Sequence, residues 1–346
     1  ACLVLVCAKA SKFPSHAVMN KLAADVSVSV AMCTYRGGRY LDEQLGSIAG
    51  QTRPPDEVVV CDDGSTDGTL AILDRFRSQA RFPVRIYRND GQLGATKNFE
   101  RAISYCQGGI ILLSDQDDVW HPEKVSALLS VFLTSPDIGA VFSDAEVVDE
   151  RLATRGYSVW GFVGFGAADQ RRFARAGALD VLLKHNVVVG MTMGFRAQFR
   201  DLVVPIPADW VHDRWIPLLI AAVADVATVP KRLVKYRQHG AQGIGMVRRG
   251  LAESLGEKRK VGAPELRRLA DQYEAAYDRL TARKAEYQCS AKALRRVQAK
   301  INHIRARSEI RDGKGRLRLL MREIFTLNYR RYSSGWKSVA VDMFLS

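Results

Sequence analysis

The sequence predicts an α/β protein: a mostly parallel sheet flanked by helices, with a C-terminal helical extension. Three observations carry that expectation. Short apolar runs alternate with amphipathic stretches from residue 26 to about 145, polar turns close those runs, and a 3-4 apolar spacing takes over from Leu266.

Val26 to Cys33 alternates and reads as a first strand, followed by helical spacing at Leu41, Leu45 and Ile48. Glu57 to Cys61 is a continuous buried strand that ends in Asp62-Asp63-Gly64-Ser65, and a helix over Thr69 to Arg77 follows. Val84 to Tyr87, Thr96 to Cys106 and Ile110 to Leu113 continue as strand, helix and strand. A helix to about Thr134 and a strand at Gly139 to Phe142 come next. Fully apolar strands separated by helices imply a parallel sheet covered on both faces. In such sheets ligands bind beyond the carboxyl ends of the strands. Cys33-Thr34-Tyr35, Asp62-Asp63 and Asp115-Gln116-Asp117-Asp118 are expected to converge there. Residues 151–178, rich in glycine, aromatics and arginine, read as a long mobile loop.

The chain divides by composition into an N-terminal extension at 1–25, read as disordered, a catalytic-sized domain at 26–247 and a basic helical tail at 248–346. The tail holds 24 Lys/Arg against 11 Asp/Glu, so it carries nearly all of the net charge of +14. A basic tail on a near-neutral body implies an anionic partner of its own. Its seam at 266–304 reads as one long helix or as a hairpin broken near 283–290, and as a surface on which a homodimer could form. Two amphipathic segments follow at 317–325 and 336–344. Apolar stripes beside arginines fit peripheral attachment to an anionic membrane surface on the cytoplasmic side, or packing on the enzyme itself.

With 47% apolar residues, the 346-residue chain can bury a proper core. Six scattered cysteines without a C-x-x-C pair read as reduced thiols in a cytoplasmic protein and exclude a zinc site. No apolar run reaches the roughly 18 residues that span a bilayer. Neither a dinucleotide-binding G-x-G-x-x-G after the first strand nor a P-loop is present, and there is no serine elbow.

Three carboxylates within four positions, Asp115, Asp117 and Asp118, repel one another unless a cation sits among them. Mg²⁺ or Mn²⁺ suits, because such ions bind through one or two protein carboxylates and keep water and phosphate oxygens in their shell. A solvated acidic turn is the plain alternative. Asp62-Asp63 reads either as an Asx-rich turn with Ser65 or Asp67 capping a helix, or as an acceptor for a nucleotide base or ribose. Asp213, between Trp210 and Trp215, is either part of a structural His212-Asp213 pair or a base whose charged form is disfavoured by its apolar wall.

Taken in order, Val28-Ser-Val-Ala-Met-Cys-Thr-Tyr35, Asp62-Asp63-Gly-Ser-Thr-Asp-Gly-Thr69, Leu113-Ser-Asp-Gln-Asp-Asp-Val-Trp120 and Trp210-Val-His-Asp-Arg-Trp215 resemble the inverting family 2 glycosyltransferases. The likeness is to the rhamnosyltransferase-like branch that builds O-antigen and other bacterial surface polysaccharides. It covers residues 26–245 and, more loosely, the tail. The resemblance implies the GT-A fold, a nucleotide-sugar donor such as dTDP-rhamnose or a UDP-sugar, a saccharide or lipid-linked acceptor, and a divalent cation, Mn²⁺ or Mg²⁺. By the same resemblance Cys33, Tyr35, Asp62 and Asp63 hold the nucleoside, with Asp63 on the base. Asp115, Asp117 and Asp118 carry the metal, His239 lies near metal and diphosphate, and Asp213 is the catalytic base. Arg36, Val189 and Gln242 depart from the family's common residues, which bears on donor and acceptor detail. The rival readings are a sugar nucleotidyltransferase, which wants a Gly-rich, basic phosphate loop straight after the first strand, of which Thr34-Tyr35-Arg36-Gly37-Gly38 is only a faint echo, and a non-enzymatic basic coiled-coil module. A near-neutral body with clustered carboxylates speaks against nucleic acid as a partner.

Overall fold

The computed structural model describes residues 26–240, 261–313 and 315–344. The expectation for residues 1–25, and the departure at Gln242, lie outside them. Two compact units emerge among the described residues: one comprises those up to 177 together with 187–240, the other 178–186 together with those from 261 on.

The first unit is a nine-stranded sheet: β1 (Val28–Thr34), β2 (Glu57–Asp62), β3 (Val84–Arg88), β4 (Ile110–Ser114), β5 (Val119–Trp120), β6 (Ile138–Val148), β7 (Thr154–Ser158), β8 (Met193–Arg196) and β9 (Asp225–Arg237). The order is β3-β2-β1-β4-β8-β6-β9-β5, with β7 on β6. Strands β1 to β4 are mutually parallel, β8 runs against both β4 and β6, and β9 is parallel to β6. Six strands therefore share one direction and three oppose it. The four residues Val58–Cys61 are fully buried, as the unbroken apolar run demands when helices cover both faces.

The covering helices are α1 (Leu41–Ala49), α2 (Thr69–Gln79), α3 (Ala95–Tyr105) and α4 (Lys124–Phe132). Leu41, Leu45 and Ile48 of α1 enter the same core as Val30, Met32 and Leu128, which is why their i, i+4, i+7 spacing was readable.

The mobile loop expected over 151–178 is not found. This stretch forms β7, α5 (Val159–Val163), α6 (Ala167–Ala176) and the start of α7 (Ala178–Lys184). Its aromatics are the reason: Trp160, Phe165 and Phe173 pack edge-on or tilted around Phe142, with ring centroids 5.0–5.8 Å apart. After α8 (Arg200–Val203), helix α9 (His212–Val223) completes the unit's helices.

The second unit resolves the tail's open choice in favour of a hairpin. Helices α10 (Ala263–Ala282) and α11 (Ala291–Arg311) are antiparallel, since Ser308 meets Ala263, Arg267 meets Asp312 and Arg305 meets Glu274. Leu266, Tyr273, Ala276, Leu280, Val297, Ile301 and Ile304 are buried as the seam predicts, and Ala270 takes the buried place expected of Leu269. Helix α7 belongs to this unit and contributes Leu179, Val181, Leu182 and Leu183. Three further helices, α12 (Arg316–Phe325), α13 (Asn328–Tyr332) and α14 (Trp336–Phe344), close it. No helix among the described residues is long and apolar enough to cross a membrane.

Candidate active site

The parallel strands end together, so the turns after β1, β2 and β4 form one rim, as the sheet class requires. The turn after β1 is held by side chains of the turn after β2. The amides of Arg36, Gly37 and Gly38 donate to Ser65 Oγ, Thr69 Oγ1 and Asp67 Oδ2 at 2.8, 2.9 and 3.1 Å. Ser65 and Asp67 were expected as helix caps, but the N-cap of α2 is Gly68, without a side-chain bond. Asp67 does receive the Thr69 amide at 3.2 Å.

Asp62 and Asp63 diverge. Asp62 is fully buried and turned inward, accepting from Thr34 Oγ1, Ser65 Oγ and the Ser65 amide at 2.6–2.8 Å. Asp62 was expected to hold the nucleoside; in the fold its lone pairs fasten the two turns to each other. Asp63 instead lines a cavity of about 440 Å³ with Tyr35, Gly64, Arg88, Asn89 and Asp90. Its Oδ1 accepts from Asn89 Nδ2 and the Leu93 amide, and Oδ2 from the Gly94 amide. Three of roughly four acceptor positions on the carboxylate are thus filled, leaving one for an incoming donor. Cys33 lies at the end of β1, between Asp63 and Asp115, and its thiol pKa is raised by burial and by those neighbouring charges.

The turn after β4 is tied to the β1 loop by Gln116, which accepts from the Tyr35 amide at 2.8 Å and donates to the Tyr35 carbonyl at 3.0 Å. Its side chain imitates a strand partner, and a Cβ on Gly37 would come within 2.3 Å of Gln116 Oε1. Neither Gln116 nor Gly37 stood out in the sequence, because their function is mutual.

The three clustered carboxylates also separate. Asp115, Asp117 and Asp118, expected to carry the metal, form no ready-made three-ligand cluster among the described residues. Asp118 is fully buried, with Oδ1 accepting from the Arg237 amide at 3.1 Å and Oδ2 unpartnered. Its pKa is pushed well up by burial, then by Asp117 and Asp115. Asp117 remains half-buried and meets His239 Nε2 at 2.8 Å. β9 delivers this histidine by pairing with β5, Val234 opposite Trp120. Arg237 anchors the strand end, donating to the Asp117 and Glu150 carbonyls and pairing with Glu43. Asp115 is raised to about 7 by burial, with Asp117 and then Asp213 adding to it. The Asp117–His239 pair with Asp115 beside it is a hard, mostly oxygen donor set. It fits a divalent cation that brings phosphate and water ligands with it.

Asp213 stands in the first turn of α9, where the helix N-terminus favours an anion. Its carboxylate accepts from the Gly190 amide, while burial lifts its pKa to about 7. Gly190 opens a 3₁₀ turn leading into β8, which pairs antiparallel with β4, the strand that runs into the turn carrying Asp115. A Cβ on Gly190 would meet His212 Nε2 at 2.6 Å, so the backbone must be bare here. His212 is buried, lies 4.1 Å from the Phe99 ring centroid and is depressed by burial to about 3, which keeps it neutral. Trp215 is fastened by its indole N–H to the Val203 carbonyl at 2.7 Å. Two more residues escaped the sequence reading: Gly190, whose role is an approach distance, and Lys124, a fully buried amine whose pKa burial pushes well down, which donates to the Met191 carbonyl and sits 3.4 Å from the Trp120 ring centroid.

The sequence profile described as glycosyl transferase family 2 matches residues 29–204, just over half of the chain. The chain belongs to glycosyltransferase family 2. An uncharacterized glycosyltransferase of Nostoc sp. is 28% identical over 224 residues, 62% of this chain and 66% of that protein. The chain spans slightly less than two thirds of the length of such curated relatives. Among solved structures, residues 1–349 of S. aureus TarS in complex with UDP-GlcNAc align with a TM-score of 0.51 at 17% identity, over 88% of this chain and 89% of that one. The mannosyltransferase PcManGT of Pyrobaculum calidifontis, in complex with GDP-Man and Mn²⁺, aligns with a TM-score of 0.50 at 17% identity, over 92% and 84%. At that identity the likeness concerns the fold, a GT-A-like sheet with flanking helices.

Proposed function

We propose that this family 2 enzyme transfers a sugar, with inversion, from a nucleoside diphosphate donor to a hydroxyl of a saccharide or lipid-linked acceptor. The observation that carries this reading is Asp213: a carboxylate oriented by the Gly190 amide, with a pKa near 7, beside the turn where Asp115 and Asp117 lie. A base with a pKa close to the working pH is unprotonated often enough to act and basic enough to take a proton. Asp213 removes the proton of the acceptor hydroxyl as that oxygen attacks the anomeric carbon, and the bond to the diphosphate breaks in the same step.

Asp63, Tyr35 and Cys33 bound the nucleoside, and the one open acceptor position on Asp63 suits a base N–H. Asp117 and His239 would hold a Mn²⁺ or Mg²⁺, with Asp115 adjacent. Once bound, that cation supplies charge neutralisation for the diphosphate leaving group. The relatives solved with UDP-GlcNAc and with GDP-Man and Mn²⁺ support a nucleotide-sugar donor and a divalent metal. The sequence resemblance puts dTDP-rhamnose first among donors to try, then UDP-sugars, and surface polysaccharide as the product class.

The nucleotidyltransferase alternative loses support from the loop after β1. The amides of Arg36, Gly37 and Gly38 are all occupied by side-chain oxygens, so they form no cradle for a triphosphate. A panel of nucleotide sugars with Mn²⁺, scored for donor hydrolysis or transfer, tests the proposal. Turnover of one donor is expected. Pyrophosphate release from a sugar 1-phosphate and a nucleoside triphosphate, with every nucleotide sugar left intact, would overturn it.

A further inference from the structure

Ten large apolar residues are exposed among those described, and seven of them lie between Leu317 and Phe344 of the second unit. The sequence suggested a single apolar stripe on each terminal helix. The structure divides them. On α12, Leu320 faces inward with Ile324 packed beside it, against Ile310, Tyr329 and Val339. Leu317, Met321 and Phe325 form a second row at i, i+4, i+8, with Leu317 and Phe325 70% and 77% exposed. On α14, Val339 and Val341 are buried, whereas Trp336 and Phe344 are 74% and 73% exposed and Met343 is exposed with them. Arg316 donates to the Asp342 and Met343 carbonyls, tying the first turn of α12 to the last turn of α14 and bringing the two outward rows together.

The charge around these rows has one sign. Residues 315–344 contain two carboxylates, Glu323 and Asp342, and both are buried. Glu323 is consumed by His303, Asn328 and Arg322, and Asp342 by Arg307, Arg311 and Tyr329. What remains exposed is cationic: Arg318, Arg322, Arg330, Arg331 and Lys337. A second copy of the chain is a poor occupant, because a two-fold interface would press this cationic patch against itself. An anionic bilayer complements it on both counts, since apolar rows enter the headgroup–acyl boundary while arginines and lysine meet lipid phosphate.

We infer that α12, α13 and α14 form a surface that binds an anionic bilayer, lying in the interface without crossing it. The inference goes beyond the proposed transfer reaction and does not depend on it. The full chain is co-sedimented with vesicles of phosphatidylcholine alone and of phosphatidylcholine with a third phosphatidylglycerol, at low and at high salt. Binding to the anionic vesicles is expected, weakened by salt because exposed charges are screened within about 8 Å at physiological ionic strength. The pair Arg330→Gln and Arg331→Gln should lower partitioning about tenfold or more, at roughly fivefold per cation. The pair Phe325→Ser and Trp336→Ser should do at least as much. Both pairs lie at exposed positions, and thermal unfolding confirms that each variant is folded. Absence of binding to anionic vesicles, equal binding to both compositions, or folded variants that bind as the parent does would each overturn the inference. So would sedimentation velocity showing self-association that these substitutions abolish.

Discussion

The turns after β2 and after β4 both end a buried strand in aspartates, yet they dispose of the charge in opposite ways. Asp62 and Asp63 receive six hydrogen bonds from amides, hydroxyls and one side-chain amide, so their charge is used in building the rim. In the turn after β4, burial and mutual repulsion raise Asp115 and Asp118, and Asp213 across from them is raised by burial as well. Asp62 and Asp63 spend most of their acceptor positions on the rim. A carboxylate whose charged form is disfavoured by burial and by like charges is poised to bind a cation or accept a proton.

The largest expected effect falls on the side where burial raises the carboxylates. Asp213→Asn keeps the shape of the side chain but cannot take a proton, so turnover should drop by about 10²–10⁴-fold. Donor affinity, measured by calorimetry with nucleotide and Mn²⁺, should stay within a few fold, because the base acts only in the transfer step. Near-normal turnover would show that Asp213 is structural and that the contrast between the turns carries no chemistry. Next comes Asp117→Ala, which should weaken metal-dependent donor binding by roughly 10–100-fold. EDTA should abolish turnover and Mn²⁺ or Mg²⁺ restore it. Full activity in chelator would remove the cation from the comparison.

On the other side of the comparison, Asp62→Ala should act on stability. It strands the Thr34 hydroxyl, the Ser65 hydroxyl and the Ser65 amide in a buried place, at a cost of about 3 kcal/mol. Denaturant unfolding should show it as a lower midpoint at an unchanged slope. If instead nucleotide binding is lost and the midpoint holds, Asp62 faces the cleft after all.

The contrast explains what the sequence disclosed. Strands such as Glu57–Asp62 and the α1 spacing were legible because burial writes itself as period and composition. Asp213 and His239 were marked by their neighbours and by family likeness. What escaped depends on pairs far apart in the chain. Gln116 matters because Tyr35 lies beside it, Gly190 because His212 approaches it, and Arg237 because it reaches Asp117, Glu150 and Glu43 at once. The 151–178 segment was misread because glycine and arginine masked an aromatic cluster that needs Phe142, an earlier residue, to close. The Asp115–Asp118 run was read as one ligand set, and only the fold shows Asp118 turned away toward the Arg237 amide.

The smallest effect expected is also the sharpest on acidity. The folded state holds the Asp213 proton up to about pH 7, whereas an unfolded aspartate loses it near 4. Between those values the unfolded chain binds fewer protons than the folded one, so this group's contribution to stability declines as pH rises and levels off above about 7. Activity runs the other way. The base must be unprotonated, so kcat/KM should fall tenfold per unit as pH drops below about 7. The form that works is thus the less stable one. Asp213→Asn removes the titration, so its melting temperature relative to the parent should be level near pH 4 and rise through pH 7. Each kcal/mol of relief corresponds to about 2–4 °C. A difference that stays flat with pH, measured by scanning calorimetry without metal, would mean that solvent reaches the carboxylate freely. The burial that sets Asp213 apart from Asp62 and Asp63 would then be absent in solution.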